Sequence, residues 1–174
     1  MTHEAAQIRG RFTVECRNPD GTLAWREEFD NVVATVGKNA LLDAGLAGSA
    51  YTVTGPYVGL ISSVGWSAVA ASDTMTSHGG WTEAGSTNAP TYSGNRPTAA
   101  WSAASGGAKS FSSAAVFSIT SSGTVEGAFL VFGSGASNTI GNTGGVLFSA
   151  GQFQSGAQPV TNGSQLNVSY SVSI

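Results

Sequence analysis

Ile8-Arg9-Gly10-Arg11-Phe12-Thr13-Val14-Glu15-Cys16-Arg17 alternates without a break. Ile8, Gly10, Phe12, Val14 and Cys16 make one face small or apolar. Arg9, Arg11, Thr13, Glu15 and Arg17 make the other polar. Successive side chains of a strand point to opposite faces, so this period predicts a half-buried antiparallel strand. The chain closes in the same way. Leu166, Val168, Tyr170, Val172 and Ile174 alternate with Asn167, Ser169, Ser171 and Ser173. Here the outward face is polar but uncharged. Asn18-Pro19-Asp20-Gly21 follows the first strand and reads as a turn, with proline presetting φ at its second position. Leu23, Trp25, Phe29 and Val33 then resume the apolar face, giving an N-terminal hairpin over Ile8 to Val33. Glu27 and Asn31 interrupt that face, so a bulge or strand end is expected near Glu27.

One short helix is expected from Thr35 to Gly45. Thr35 stands as a cap, Val36, Ala40, Leu41 and Ala44 form the apolar stripe, and Gly45 is the stop. It is too short to be stable alone and must dock on a sheet. Ser67 to Thr74 can add a helical turn or two. The rest is punctuated strand signal: Tyr57 to Ile61, Val116 to Thr120, Val125 to Phe132 and Val146 to Phe148. Ser121-Ser122-Gly123 reads as a hairpin turn between two of them. Ser62 to Pro90 and Gly133 to Gly145 read as long loops, the second flexible. Many short strands with Gly and Ser turns predict an all-β fold, a jelly-roll-like β-sandwich. Its core should contain Phe12, Val14, Trp25, Leu60, Phe117, Phe129, Leu166, Val168 and Tyr170. Residues 1–7 are expected to be a flexible arm, and 8–174 a single domain.

Composition narrows the function. Over half of the 174 residues are Gly, Ser, Ala or Thr, and only 10% are charged. Twelve of the seventeen charges lie in the first 43 residues, and none lies beyond Glu126. A net charge of −3 without a basic run argues against a nucleic-acid partner. No apolar stretch is long enough for a membrane helix. Met1-Thr2-His3-Glu4 lacks the layout of a secretion signal. Cys16 is the only cysteine, falls on the apolar face, and is expected to be an inert buried thiol. A charge-free half carries little repulsion against other copies or partners, as suits an assembly.

Catalytic constellations do not form. Asp73 and Glu83 are a conceivable carboxylate pair, but the plainer expectation is that Asp73 starts a turn and Glu83 is solvated. His3 and His78 are too few for a zinc site. No G-x-S-x-G elbow occurs. Gly37-Lys38-Asn39 resembles the end of a phosphate loop, but Val32 and Asn39 stand where glycine and a hydroxyl are needed. No enzyme, cofactor or metal is therefore expected. Two groups are candidate contact residues. Arg9, Arg11, Glu15 and Arg17 share the outward face of the first strand, where bidentate pairing to partner carboxylates is open to the arginines. Trp66 and Trp81 lie in the long loop, where tryptophan serves either as a plug or as an interface anchor.

Several segments carry a resemblance: Gly37-Lys38-Asn39-Ala40-Leu41-Leu42-Asp43, Tyr57-Val58-Gly59-Leu60-Ile61, Asp73-Thr74-Met75, Ser77-His78-Gly79-Gly80-Trp81-Thr82-Glu83, Asn95-Arg96-Pro97, Gly127-Ala128-Phe129-Leu130 and Leu166-Asn167-Val168. In this order, from about Gly10 to the C-terminus, the chain resembles the capsid cement (decoration) proteins of tailed bacteriophages, as in Bordetella-type short-tailed phages. The resemblance implies a jelly-roll-like structural protein made in the bacterial cytoplasm. It would sit as a dimer or trimer on the outer surface of the virion capsid. Its partners would be the major capsid protein and other copies of itself, with no direct contact to nucleic acid or membrane. A tail-fibre or receptor-binding module is the alternative expectation.

Overall fold

A computed structural model describes residues 7–46 and 54–174. Of the expected N-terminal arm only Gln7, which is exposed, falls within them; residues 1–6 lie outside the described residues. The elements are β1 (Arg9–Arg17), β2 (Leu23–Asp30), β3 (Val32–Val33), α1 (Thr35–Leu46), β4 (Tyr57–Ser62), β5 (Thr82–Gly85), β6 (Asn88–Thr91), β7 (Ala100–Trp101), β8 (Ala108–Ser113), β9 (Ala115–Ser118), β10 (Gly123–Phe132), β11 (Val146–Gln152), β12 (Gln158–Val160) and β13 (Gln165–Ser173). Strands take 50% of the chain and helix 7%, so the fold is an all-β sandwich with one short helix after the N-terminal hairpin.

The first sheet runs β2-β1-β13-β8-β7, with β9 beside the first part of β13. The second runs β3-β11-β10-β4-β5-β6, with β12 beside the first part of β10. The two alternating segments that open and close the sequence are neighbours: β1 pairs antiparallel with β13 from Arg9↔Ser173 to Arg17↔Gln165. This register puts Phe12 opposite Tyr170, Val14 opposite Val168 and Cys16 opposite Leu166, all on the inward face. They meet Leu60, Leu130, Phe148 and Phe153 of the other layer in one buried cluster. Burial pushes the Cys16 thiol up, as expected of an inert core cysteine.

The second sheet differs because it is buried on both faces. Val125, Ala128 and Leu130 of β10 face the first sheet, while Phe129 and Val131 belong to a second cluster with Ile61, Trp81 and Leu147. Phe129 lies over β4 because its cross-strand partner is Gly59, where a Cβ would stand 2.1 Å from the ring. Phe129 is thus buried as predicted, but on the outer side of its sheet. Met75, Trp81 and Ala136, all from loops, close that side.

Several expectations are corrected. Ser121-Ser122-Gly123 is not a hairpin turn. β9 pairs with β13 in one sheet and β10 with β4 and β11 in the other, so the chain crosses the sandwich there. No bulge marks Glu27. β2 is continuous, Glu27 sits opposite Val14, and the irregularity falls between Cys16 and Arg17. Trp25 is half-buried rather than core, because β2 is an edge strand; its Nε1 donates to the Pro159 carbonyl at 2.8 Å. The helix runs to Leu46 and buries Gly37 and Ala40, whereas Leu41 and Leu42 are exposed. A Cβ at Gly37 would meet the Phe148 carbonyl oxygen at 2.7 Å, so the helix backbone rests directly on β11 and this close approach sets which face turns inward. Ser67 to Thr74 forms no helix, and the expected loop from Ser62 to Pro90 holds β5 and the start of β6. No helix among the described residues is long and apolar enough to cross a membrane.

Candidate functional site

The outer face of the first sheet is a regular, mostly polar surface. β13 contributes Gln165, Asn167, Ser169, Ser171 and Ser173, and the register continues the row into Ser118, Val116 and Ser110 of β9 and β8. This half carries no charge. On the other flank β1 and β2 place Arg11 opposite Asp30 and Glu15 opposite Arg26.

That register decides the fate of the candidate contact residues. Arg11 Nε donates to Asp30 Oδ1 at 3.0 Å. Glu15 receives Arg17 at 3.4 Å and Arg26 at 3.7 Å, and Arg26 also pairs with Glu28. Opposite charges on facing strands attract at this spacing, so these side chains pair among themselves. The expectation that these outward charges are free for a partner is therefore corrected for Arg11, Glu15 and Arg17. Arg9 differs: it faces Ser173 in register, donates to Gln7 Oε1 at 2.9 Å, and meets no carboxylate among the described residues.

The tryptophans divide as well. Trp81 is 2% exposed and is a plug, so it is not available as a surface anchor. Its ring packs on Phe129 with centroids 5.1 Å apart, and His78 stacks on it at 3.8 Å. Its Nε1 donates to Asp73 Oδ2 at 2.9 Å, and the Ala70 amide donates to the same oxygen. Asp73 is thus a buried acceptor that ties the 62–81 loop to its plug. His78 Nδ1 lies 3.0 Å from the Trp81 carbonyl oxygen, an acceptor, so Nδ1 carries the proton. Trp66 is half-buried against the same cluster.

Glu83 is not solvated. Its side chain is 10% exposed and that of Arg96 is wholly buried. Arg96 Nε and Nη2 donate to the two Glu83 oxygens at 2.7 and 2.6 Å. Nη1 and Nη2 also donate to the carbonyls of Ser137 and Asn142, and the Gly141 amide donates to Glu83. The Gly133 to Gly145 stretch, expected to be flexible, is therefore pinned at three points. Sequence reading missed Arg96 as a structural centre, though a lone arginine between two glycine-rich loops was the available signal. Both oxygens of Glu83 accept in these contacts, and Asp73 accepts twice through Oδ2. Among the described residues no three His, Cys, Asp or Glu side chains gather as a metal site.

A further feature went unread. An apolar cleft of about 430 Å³ opens at one end of the sandwich, lined by Leu41, Pro56, Trp101, Phe132, Phe148 and Val172. Comparison with protein-family models, with characterised proteins and with solved structures gives no match to this chain.

Proposed function

We propose that this chain is a phage structural protein that binds the outer surface of the assembled capsid and stabilises it. The observation that carries this reading is the outer face of the first sheet, a polar surface on which the row along β13, β9 and β8 is uncharged and the outward charges of β1 and β2 other than Arg9 pair with one another. Such a face imposes little charge repulsion on neighbouring copies or on a shell subunit. Asp73, His78 and Glu83 are engaged in holding loops. The sequence resemblance to cement proteins points the same way. A cement protein acts by mass action: it binds the intact shell and not its separated subunits, and so shifts the balance toward the closed particle.

The test is to purify particles from cells producing the chain, count its copies by quantitative mass spectrometry, and image them by electron cryomicroscopy. A copy number comparable to that of the shell subunit, with density on the outer capsid surface, is expected. Its absence from particles overturns the reading. A few copies confined to the tail would overturn it in favour of a fibre or receptor-binding module.

A further inference from the structure

β2 is the outermost strand of the first sheet, paired with β1 on one side only. Beside its free edge lies an open groove of about 450 Å³ lined by Arg26, Glu27, Glu28, Gln154 and Ser155. Strand alternation sends Glu27 inward between Trp25 and Phe29, whose rings both pack against Phe153 at 5.4 and 5.2 Å. Glu27 is 8% exposed. The other carboxylates of the hairpin strands, Glu15, Glu28 and Asp30, each hold an arginine. Glu27 has no hydrogen-bond or ion-pair partner among the described residues. Glu27 lines the open groove with no arginine claiming it, so a cation brought along this edge finds an unpaired carboxylate.

A second copy of β2 cannot deliver one. Directly opposed residues of an antiparallel pair share a face, so a two-fold pairing of β2 with itself must centre on a single residue. The registers that use the strand's length centre on Arg26, Glu27 or Glu28. Each sets two like charges directly opposite one another, which is destabilising. An inward-pointing charge on an edge strand is a known guard against self-pairing.

We propose that the free edge of β2 is a docking site for an extended segment of a partner protein that carries one lysine or arginine. The segment adds as the next strand of the sheet, its main chain bonding to β2 and its cation seating on Glu27. An apolar side chain two positions from the cation would cover the half-buried Trp25, Phe29 being buried already. This inference does not depend on the capsid reading.

The probe is the peptide acetyl-Thr-Val-Thr-Lys-Thr-Val-Thr-amide, titrated into the full chain and followed by amide NMR shifts. Shifts confined to β2 and the Gln154–Ser155 segment are expected. Replacing the central lysine by norleucine should weaken binding about tenfold, as should Glu27→Gln. Glu27→Lys should transfer the preference to a peptide with a central glutamate. No shift of β2 amides at millimolar peptide overturns the proposal. So does equal binding of the lysine and norleucine peptides, or dimerisation of the wild-type chain through β2. The two peptides compared on the wild-type chain decide the matter even where a Glu27 variant fails to fold.

Discussion

Arg11 and Asp30 meet in water on the outer face of the first sheet, with side chains 57% and 74% exposed. Glu83 and Arg96 meet under the loops beside the second sheet, 10% and 0% exposed. The two pairs have the same chemistry but differ in consequence. An exposed pair is screened by water and contributes about 0–1 kcal/mol. A buried pair that loses one member leaves the other charge desolvated without compensation. The charge-rich hairpin is therefore energetically quiet, while the charge-poor region depends on a single ion pair. Counting charges along the sequence would rank the two regions the other way.

The strongest way to break this comparison is Arg96→Ala. It strands Glu83 and releases the carbonyls of Ser137 and Asn142, so a loss of about 3–5 kcal/mol is expected in urea unfolding. A loss below that of the hairpin variants would reverse the ranking. The double variant Glu83→Met with Arg96→Met should recover part of the loss, because it leaves no unpaired charge.

Trp81→Phe comes next. It keeps most of the plug's area but removes the donor to Asp73, and should cost about 1–3 kcal/mol. Hydrogen exchange should show faster opening of the 62–81 loop, with β1 and β13 unchanged. Equal acceleration across both sheets would mean that the loop is not a separate unit.

Glu126→Gln sharpens the comparison from the other direction. Glu126 is buried and burial holds its carboxyl above the ordinary glutamate range. The native state then keeps its proton to higher pH than the unfolded chain does. Stability should fall as pH rises through that window, and Glu126→Gln should abolish the fall. The variant should be more stable than wild type at neutral pH and no more stable in acid below the ordinary glutamate range. Chemical denaturation across pH measures both; an unchanged pH slope would show Glu126 to be solvated when folded.

The smallest effect belongs to Arg9→Ser with Arg11→Ser. Thermal unfolding should change by about 0–1 kcal/mol, with little added sensitivity to salt. If the proposed capsid role holds, Arg9→Ser alone tests the candidate contact. Weaker occupancy of bare shells at low salt would point to Arg9, the guanidinium without a carboxylate. Wild-type occupancy would move attention to the uncharged half of the face.

Much of the first sheet was legible in the sequence because one of its faces is wet. Period-2 alternation in Ile8 to Arg17 and Leu166 to Ile174 named the strands and most of their inward residues, but Ile174 lies past the end of β13 and is exposed. The Asn18 to Gly21 turn was legible for the same local reason. The Gly21 amide donates to the Asn18 carbonyl at 2.8 Å, and Asp20 accepts from the Thr22 amide and hydroxyl. Those bonds, the hydroxyl's first, hold the Asp20 carboxyl below its usual range. The candidate site was half legible: the outward arginines were named correctly, but not their partners on β2.

Alternation and turn chemistry are properties of neighbours in the chain, so the sequence by itself determined the hairpin, the closing strand, the all-β class and the place of the short helix. What it could not carry was any choice between distant partners. The crossing at Ser121 to Gly123 depends on which sheet completes β9 and which completes β10. The second sheet, buried on both faces, shows no alternation to read. Trp81 became a plug only when Phe129 came beneath it, and Arg96 became a clasp only when β5 and the 133–145 loop converged on its fork. Burial and pairing across long separations are set by packing, and packing exists only in the tertiary structure.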